Sequence, residues 1–484
     1  MKERNSLIDL IKTLSTAECA GLKAYVAHPV AAAAQHVRDA ARLLDIILQT
    51  APSFPPEYLK KKALFEAMYP GTPWVNGRLK KVLIALNKQI QAYLLQAYYF
   101  REENEFQRQL DLGQIFQKKG LKAPYEIQLQ KTARWFAQQQ KKDAVYFYQR
   151  FAFDYGRSNQ ELGKNQTRSD LQVREMLENL SIFYNIRRLE ILNFFHNQQK
   201  LSKDGLENQI PRVLYASNLP EAWMAASADL FVQQKIFDFL ELEKPSPNDF
   251  HTMRRLLLEV GTELSQAVLS NAYTILRNCC HLFIYSGKTE YLDVLHELHK
   301  DNLESGYLYL PENEYKIPST TFLNLVNVGL LTRQFDWVGQ FLETHRDRLL
   351  GDNVSGDFFH LNLAIYRFAT GQYDAALDIL PLTFPNIIYH LMARRLEIKI
   401  YYELRSDLLE FKLDAFKMYI SRASKKFLSQ ELRERNADFA NLLTQILQSH
   451  PGDTQRKERL SKRIRERVRA AERDWLLEKV QRMP

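Results

Sequence analysis

Cysteine, glycine and proline are scarce in this sequence of 484 residues, and each shortage excludes a class of protein. The three cysteines, Cys19, Cys279 and Cys280, follow no spaced pattern, which excludes a disulfide framework and a zinc site. Glycine and proline number 17 each, below their usual frequencies of about 7% and 5%. No run of alternating β-branched residues lies between turn signals. Because helix breakers are few and helix formers abundant, we predict an all-α fold.

Signals for targeting and for membrane insertion are also missing. Charged residues interrupt the opening segment MKERNSLIDLIKTL, where a signal peptide needs an apolar stretch. No segment of about 18 uncharged apolar residues occurs, so we expect no membrane span. Scarce cysteine suits a reducing compartment, and we therefore expect a cytoplasmic protein.

What the sequence does have is a basic charge that is concentrated at its two ends. Of the net charge of +9, residues 1–100 hold thirteen Lys/Arg against seven Asp/Glu, and residues 452–484 hold eleven against six. Basic ends suit nucleic acid or an acidic protein surface, although they are more often solvated helix faces. Since neither a recognition-helix pattern nor an RNA-binding signature is visible, nucleic acid is the alternative partner.

Proline and glycine residues divide the mostly helical sequence into four predicted regions. They are a small helical domain at 1–95, an irregular helical-repeat region at 96–270, helix–turn–helix repeats at 271–450 and a basic C-terminal capping helix at 451–484. Within the first region, Ser15 and Glu18 form a capping box that predicts a helix from Thr16. Within the last, an apolar ridge predicts one helix over Thr454–Arg482.

Four segments of the chain share a helix–turn–helix pattern. Their turns lie at Gly287, Arg333, Gly371 and Arg405, at spacings of 46, 38 and 34 residues that approach the ~34-residue period of helix-pair repeats. Seven places before the turn, the first helix of three segments has a small or apolar residue: Cys280, Val326 and Ala364. Five places after it, the second helix has Leu292, Val338 and Ala376. We expect the paired helices to cross closely there and to stack on their neighbours.

These residues resemble the tetratricopeptide repeat. In the best unit, G-Q-Y-D-A-A from Gly371 stands where that family has its turn glycine and the alanine of its second helix. Arg333 and Arg405 replace the turn glycine in two other units, and no unit ends with the usual proline. The resemblance covers about 270–420, and the whole chain also looks like uncharacterised bacterial proteins with such repeats. It implies a degenerate α-solenoid whose first helices line a concave groove.

Assigning the inward-facing positions of this repeat to each unit gives the candidate groove residues. The inward positions of the first helices are Arg277, His281, Tyr285, Asn327, Arg395, Lys399 and Tyr402. Cationic and aromatic side chains suit an extended peptide with acidic and apolar groups. The alternative is that these residues contact an adjacent helix or solvent. We predict a protein or peptide partner of unknown identity.

No motif for catalysis or cofactor binding is complete. Ser286–Thr289 ends like a phosphate-binding loop, but Leu282 stands where that loop needs glycine, and a helix precedes it. His296 and His299 lie one helical turn apart without a third ligand, so we expect no metal. The prediction is a non-enzymatic interaction scaffold without a cofactor.

Overall fold

The computed structural model describes residues 6–27, 35–162, 170–201, 219–308, 316–350, 356–423, 428–450, 452–467 and 470–483. Over these ranges the chain forms 23 α-helices, which confirms the predicted all-α class. Two strands of two residues each, β1 (Ile317–Pro318) and β2 (Leu349–Leu350), pair in parallel and are too short to change that class. Among the described helices, none is both long and apolar enough to cross a bilayer.

The chain divides into two compact units. The first consists of residues 1–140 and 148–179, and the second of residues 141–147 and 180–484. Two long helices, α8 (Ala144–Leu162) and α9 (Asp170–Leu201), contribute residues to both. The four-region division stays a prediction.

The first unit has its main core among its first five helices, where Leu22, Leu43 and Phe65 are fully buried. Its helices before α8 are α1 (Ser6–Lys12), α2 (Thr16–Ala27), α3 (Gln35–Leu48), α4 (Lys61–Met68), α5 (Asn76–Tyr99), α6 (Glu105–Lys118) and α7 (Lys122–Gln138). The predicted capping box is confirmed, since Ser15 N donates to Glu18 Oε2 at 2.8 Å and Glu18 N donates to Ser15 Oγ at 3.2 Å.

The second unit is a succession of helices joined by short turns. After α9 these are α10 (Glu221–Ala226), α11 (Ala228–Glu241), α12 (Pro247–Val260), α13 (Gln266–Tyr285), α14 (Tyr291–Glu304), α15 (Ser319–Leu331), α16 (Phe335–Thr344), α17 (Asp357–Ala369), α18 (Tyr373–Ile379), α19 (Ile387–Glu403), α20 (Leu409–Arg422), α21 (Gln430–Leu447), α22 (Thr454–Glu466) and α23 (Arg473–Gln481). The sequence pattern predicts a single helix over 219–240, but Ser227 interrupts it and caps α11. The same kind of pattern predicts a helix over 205–217, which lies outside the described residues.

Hydrophobic cores follow one another along this unit, and each is built mainly by consecutive helices. One core centres on α11–α14 around Phe250, and the next on α15–α17 around Phe322. A third joins α17–α19 around Ala376, and the last joins α19–α23 around Phe439. Because each core is built by elements that follow one another in the chain, the unit is a helical repeat.

The four predicted turns share one backbone geometry. Gly287, Arg333, Gly371 and Arg405 have positive φ values of 97°, 59°, 79° and 52°. In each turn the N–H of the next residue donates to the carbonyl five positions before it, at 2.8–3.0 Å. This is the Schellman end of a helix, which usually has glycine in the left-handed position. Arginine there carries a conformational cost of about 1–2 kcal/mol.

Residues at the predicted crossing positions are mostly buried. Val326 and Ala364 on first helices, and Val338 and Ala376 on second helices, are fully buried. Leu292 is the exception among the named crossing residues, since it is only partly buried. The alignment of the repeats therefore predicted, in two of the three units, the buried residues at which the paired helices cross.

The predicted C-terminal helix has a different extent in the structure. Two helices, α22 and α23, stand where one helix over Thr454–Arg482 was predicted, and Glu472 between them has a φ of 54°. The apolar ridge is still buried in the last core through residues such as Leu460 and Leu476. Glu472 at this turn also takes part in a buried ionic contact that is described below.

Candidate functional site

Arg277 is buried at the interface of α13 and α14, where it bonds two neutral side chains. Its guanidinium donates to Oδ1 of Asn302 and, at 2.8 Å, to Oγ1 of Thr274. Burial lowers the pKa of Arg277 to about 10. The side chain is therefore part of the packing between two helices, with its charge kept away from water.

His281, Tyr285 and Asn327 lie in three different environments. His281 is half-buried on α13, and its pKa is lowered by burial and by the charge of Arg277. Tyr285 ends the same helix with 85% of its surface exposed. Asn327 is half-buried on α15. Tyr285 is the member of the predicted set that a partner would reach most easily.

The histidine pair on α14 is buried beside Arg277 and carries no metal-ligand set. Within the described part of the chain, neither ring nitrogen of His299 has a hydrogen-bond partner. The pKa of His299 is lowered to about 3 by burial and by the nearby Arg277, His281 and His296. No group of three or more potential ligands gathers anywhere in the described residues. These imidazoles are neutral at physiological pH and act as packing groups.

Arg395 and Lys399 of α19 share one carboxylate within the chain. Arg395 Nε donates to Glu472 Oε1 at 3.0 Å, and Lys399 Nζ donates to Oε2 at 2.8 Å. Burial alone would raise the pKa of Glu472, but the two cations outweigh it and hold that pKa at about 2. Arg395 also donates to Asn436 at 2.7 Å. The single carboxylate compensates one of the two positive charges. A role for Arg395 and Lys399 in binding a peptide stays a prediction.

Tyr402 lies at the same end of the second unit, against Trp475 of α23 at a ring distance of 5.2 Å. It borders a cavity of about 740 Å³, lined by both acidic and basic side chains. Two of the charged lining residues pair with each other, since Lys479 Nζ lies 2.5 Å from Glu403 Oε1. Six of the seven predicted groove residues thus fall into two clusters, one on α13 and one on α19, and Asn327 lies apart from both on α15.

A groove outside the set of predicted residues lies between α9 and α13. It encloses about 670 Å³. Its α9 wall presents Ile191 and Phe194, which are 67% and 61% exposed. Its α13 wall consists of small or short polar residues: Ala267, Ser270, Asn271 and Thr274. The α9 wall has large apolar side chains, and the small side chains of the α13 wall leave space beside them. This combination suits the binding of a helix in the groove.

The sequence contained a periodic signal for this groove, but the signal was ambiguous. Apolar residues recur on two faces of α9, and one face is buried through Ile182, Ile186 and Leu189. The other face, which includes Ile191 and Phe194, is exposed. Periodicity predicts the helix, whereas only the packing of α9 on α11 tells which apolar face remains open.

Helix α22 presents a second distinctive surface, which is basic. Arg459, Lys462, Arg463 and Arg465 are exposed on it, while Leu460 and Ile464 are buried beneath. One of these cations, Lys462, pairs loosely with Glu466 at a separation of 4.0 Å. A basic amphipathic helix of this kind can approach a polyanion.

No family model, curated protein or solved structure matches this chain. The fold by itself defines the class, an all-α helical-repeat protein. The two surfaces described above, the groove between α9 and α13 and the basic face of α22, are its candidate functional sites.

Proposed function

We propose that this chain is a cytoplasmic, non-catalytic scaffold of degenerate tetratricopeptide-like helix pairs, and that it binds a helical segment of a protein in the groove between α9 and α13. The observation that carries the proposal is the exposure of Ile191 and Phe194 opposite a wall of small residues. Large exposed apolar residues that line a groove are typical of protein-binding surfaces. The shared geometry of the turns at Gly287, Arg333, Gly371 and Arg405 supports the tetratricopeptide likeness.

The chemistry of the partner follows from the groove walls. Ile191 and Phe194 favour apolar side chains at helical spacing on the bound segment, and the short hydroxyl and amide side chains of α13 tolerate close backbone approach. The ion pair of Arg187 with Glu190 at 2.7 Å lies on the α9 wall, so the groove carries no net charge from it. Shape and apolar contact, more than charge, therefore select the partner.

A photo-crosslinking amino acid placed at position 194 of the full chain tests this proposal. On irradiation in cells, we expect covalent adducts with protein that disappear when Ile191→Glu is added. Leu258→Glu on α12 is the matched control, since Leu258 is 70% exposed and lies away from the groove lining. Absence of any protein adduct, or adducts that survive Ile191→Glu, would refute the groove assignment.

Binding of nucleic acid through α22 is the second candidate function. The exposed cations of α22 favour it, and in the first unit Lys60, Lys80 and Lys81 are exposed as well. Fluorescence anisotropy with labelled DNA and RNA should show binding that weakens steeply between 50 and 200 mM salt, on the order of 10³-fold for six phosphate contacts. Lys462→Glu with Arg465→Glu should reduce that binding; if it is unchanged, or absent at low salt, this function is excluded.

A further inference from the structure

On the part of α9 that belongs to the second unit, the exposed face from Leu180 to Phe194 has a nearly palindromic order of side chains. Two apolar residues come first, a charged pair follows and two apolar residues come last: Leu180, Tyr184, Arg187, Glu190, Ile191 and Phe194. The four apolar members are between 37% and 67% exposed. Such an order reads similarly from either end of the helix, which suits a partner helix of the same sequence running the opposite way.

The spacing of this stripe is that of a coiled-coil seam. Residues 180, 184, 187, 191 and 194 are separated by alternating steps of four and three, as in an a/d heptad pattern. The opposite face of α9 already anchors the helix to α11, through Leu189 and Leu192 against Leu230 and Phe237. The exposed stripe is thus not part of the hydrophobic core that α9 shares with α11.

We propose that the occupant of the groove is α9 of a second copy of this chain, paired antiparallel about a two-fold axis near Arg187. This arrangement sets Leu180 and Tyr184 of one copy against Ile191 and Phe194 of the other. Two arginines and two glutamates meet near the axis, so the contact carries no net charge. Arg187 of one copy can then pair with Glu190 of the other copy.

The second wall of the groove completes the self-complementarity. The small side chains of α13, Ala267 and Ser270 among them, leave space into which Tyr184 of the other copy, set opposite Ile191 and Phe194, can extend. In a two-fold interface, each copy gives a large side chain and receives the same one. A groove with large residues on one wall and small ones on the other allows each copy both to insert a large side chain and to accept one.

The inference rests on the proposed function, because it names the protein that fills the same groove. The stripe from Leu180 to Phe194 is about 21 Å long at 1.5 Å per residue. A contact of this length lies at the small end of specific interfaces. We therefore expect a dimer of micromolar affinity, in exchange with monomer.

Sedimentation velocity of the full chain between about 1 and 100 µM tests the inference. We expect the mean mass to rise toward twice that of one chain, and Phe194→Glu to weaken association at least tenfold. Phe411→Glu on α20 is the matched aromatic control, since Phe411 is 69% exposed, and it should leave the dimer intact. Arg187→Glu should also weaken the dimer, and adding Glu190→Arg should restore it.

The possible results separate this inference from the proposed function. A wild-type chain that stays monomeric at 100 µM, or a dimer unaffected by Phe194→Glu, overturns the second-copy inference. If the crosslinker at position 194 then still captures a different protein, the scaffold function stands with another occupant. Adducts of twice the chain mass that are lost with Ile191→Glu support both.

Discussion

Lys399 Nζ lies 2.8 Å from Oε2 of Glu472, a residue 73 positions further along the chain. Arg395 bonds the other oxygen of the same carboxylate. To reach them, Glu472 adopts a left-handed backbone with φ of 54° at the start of α23. The contact therefore fastens the C-terminal helices α22 and α23 onto α19, at a conformational cost that the two cations offset.

Replacing Glu472 by glutamine should destabilise the second unit strongly. Glu472→Gln leaves two largely buried cations without an anion, and breaking a buried ion pair in this way costs about 3–5 kcal/mol. Urea unfolding followed by far-UV circular dichroism measures the change. Glu466→Gln, which alters an exposed pair with Lys462 at 4.0 Å, is the control and should cost less than about 1 kcal/mol. Equal effects of the two variants would contradict the buried-pair interpretation.

His299 should make the protein less stable as the pH falls from 6.5 toward 4.5. Its pKa in the folded chain is about 3, against 6.5 for a free histidine, so the unfolded chain binds the proton first. Stability from this group is complete above pH 6.5 and is lost as the pH falls toward 3. Glu472, whose pKa is lowered from 4.5 to about 2, loses its contribution only below pH 4.5.

The test is to compare the wild type with His299→Leu at pH 6.5 and at pH 4.5. The wild type should lose about 2 kcal/mol more than the variant over this interval. His296 and His281 contribute in the same direction in both proteins, because burial lowers their pKa values as well. Parallel losses in wild type and variant would show that His299 is not held neutral by the fold.

Arg333→Gly should stabilise the chain. Arg333 adopts the left-handed conformation at the turn between α15 and α16, with φ of 59°. Glycine takes that conformation without a Cβ clash, and relief of up to about 1–2 kcal/mol is reduced by the greater freedom of glycine in the unfolded chain. We expect a net gain of about 0.5–1 kcal/mol in the free energy of unfolding. The reciprocal Gly371→Ala, at φ of 79°, should lose a similar amount.

Gly329→Ala should destabilise the repeat that contains α15 and α16. A Cβ atom added at Gly329 would lie 2.5 Å from Cγ2 of Val338, a fully buried and stiff side chain. Overpacking of this kind costs about 1–3 kcal/mol. Gly156→Ala in α8 is the control, because that position has open space and should gain up to about 1 kcal/mol in helix propensity. A thermal melt that does not move with Gly329→Ala would contradict the close crossing.

Much of the fold was predictable because its signals are local. The Ser15–Glu18 capping box, the four turns and the buried Val326, Val338, Ala364 and Ala376 all depend on residues within about one helix pair. The break at Glu472 was not predictable, since the helical pattern of apolar residues continues across it. At the break Glu472 bonds Arg395 and Lys399 of α19, a contact that leaves no local mark in the sequence.

The candidate site was less predictable than the fold. A register based on the repeat assigned Arg395 and Lys399 to a peptide groove, whereas in the structure both bond Glu472. The groove between α9 and α13 joins residues about 80 positions apart, such as Ile191 and Asn271. No spacing within either helix indicates that those two faces meet.

The sequence by itself determined the helices, their caps and the turns between paired helices, because 3.6-residue periodicity and left-handed turn positions act over short distances. Only the tertiary structure decided which cations are neutralised inside the chain and which apolar face of α9 stays open. Those outcomes depend on which helices become neighbours, and a residue's partners across such a contact are set by packing.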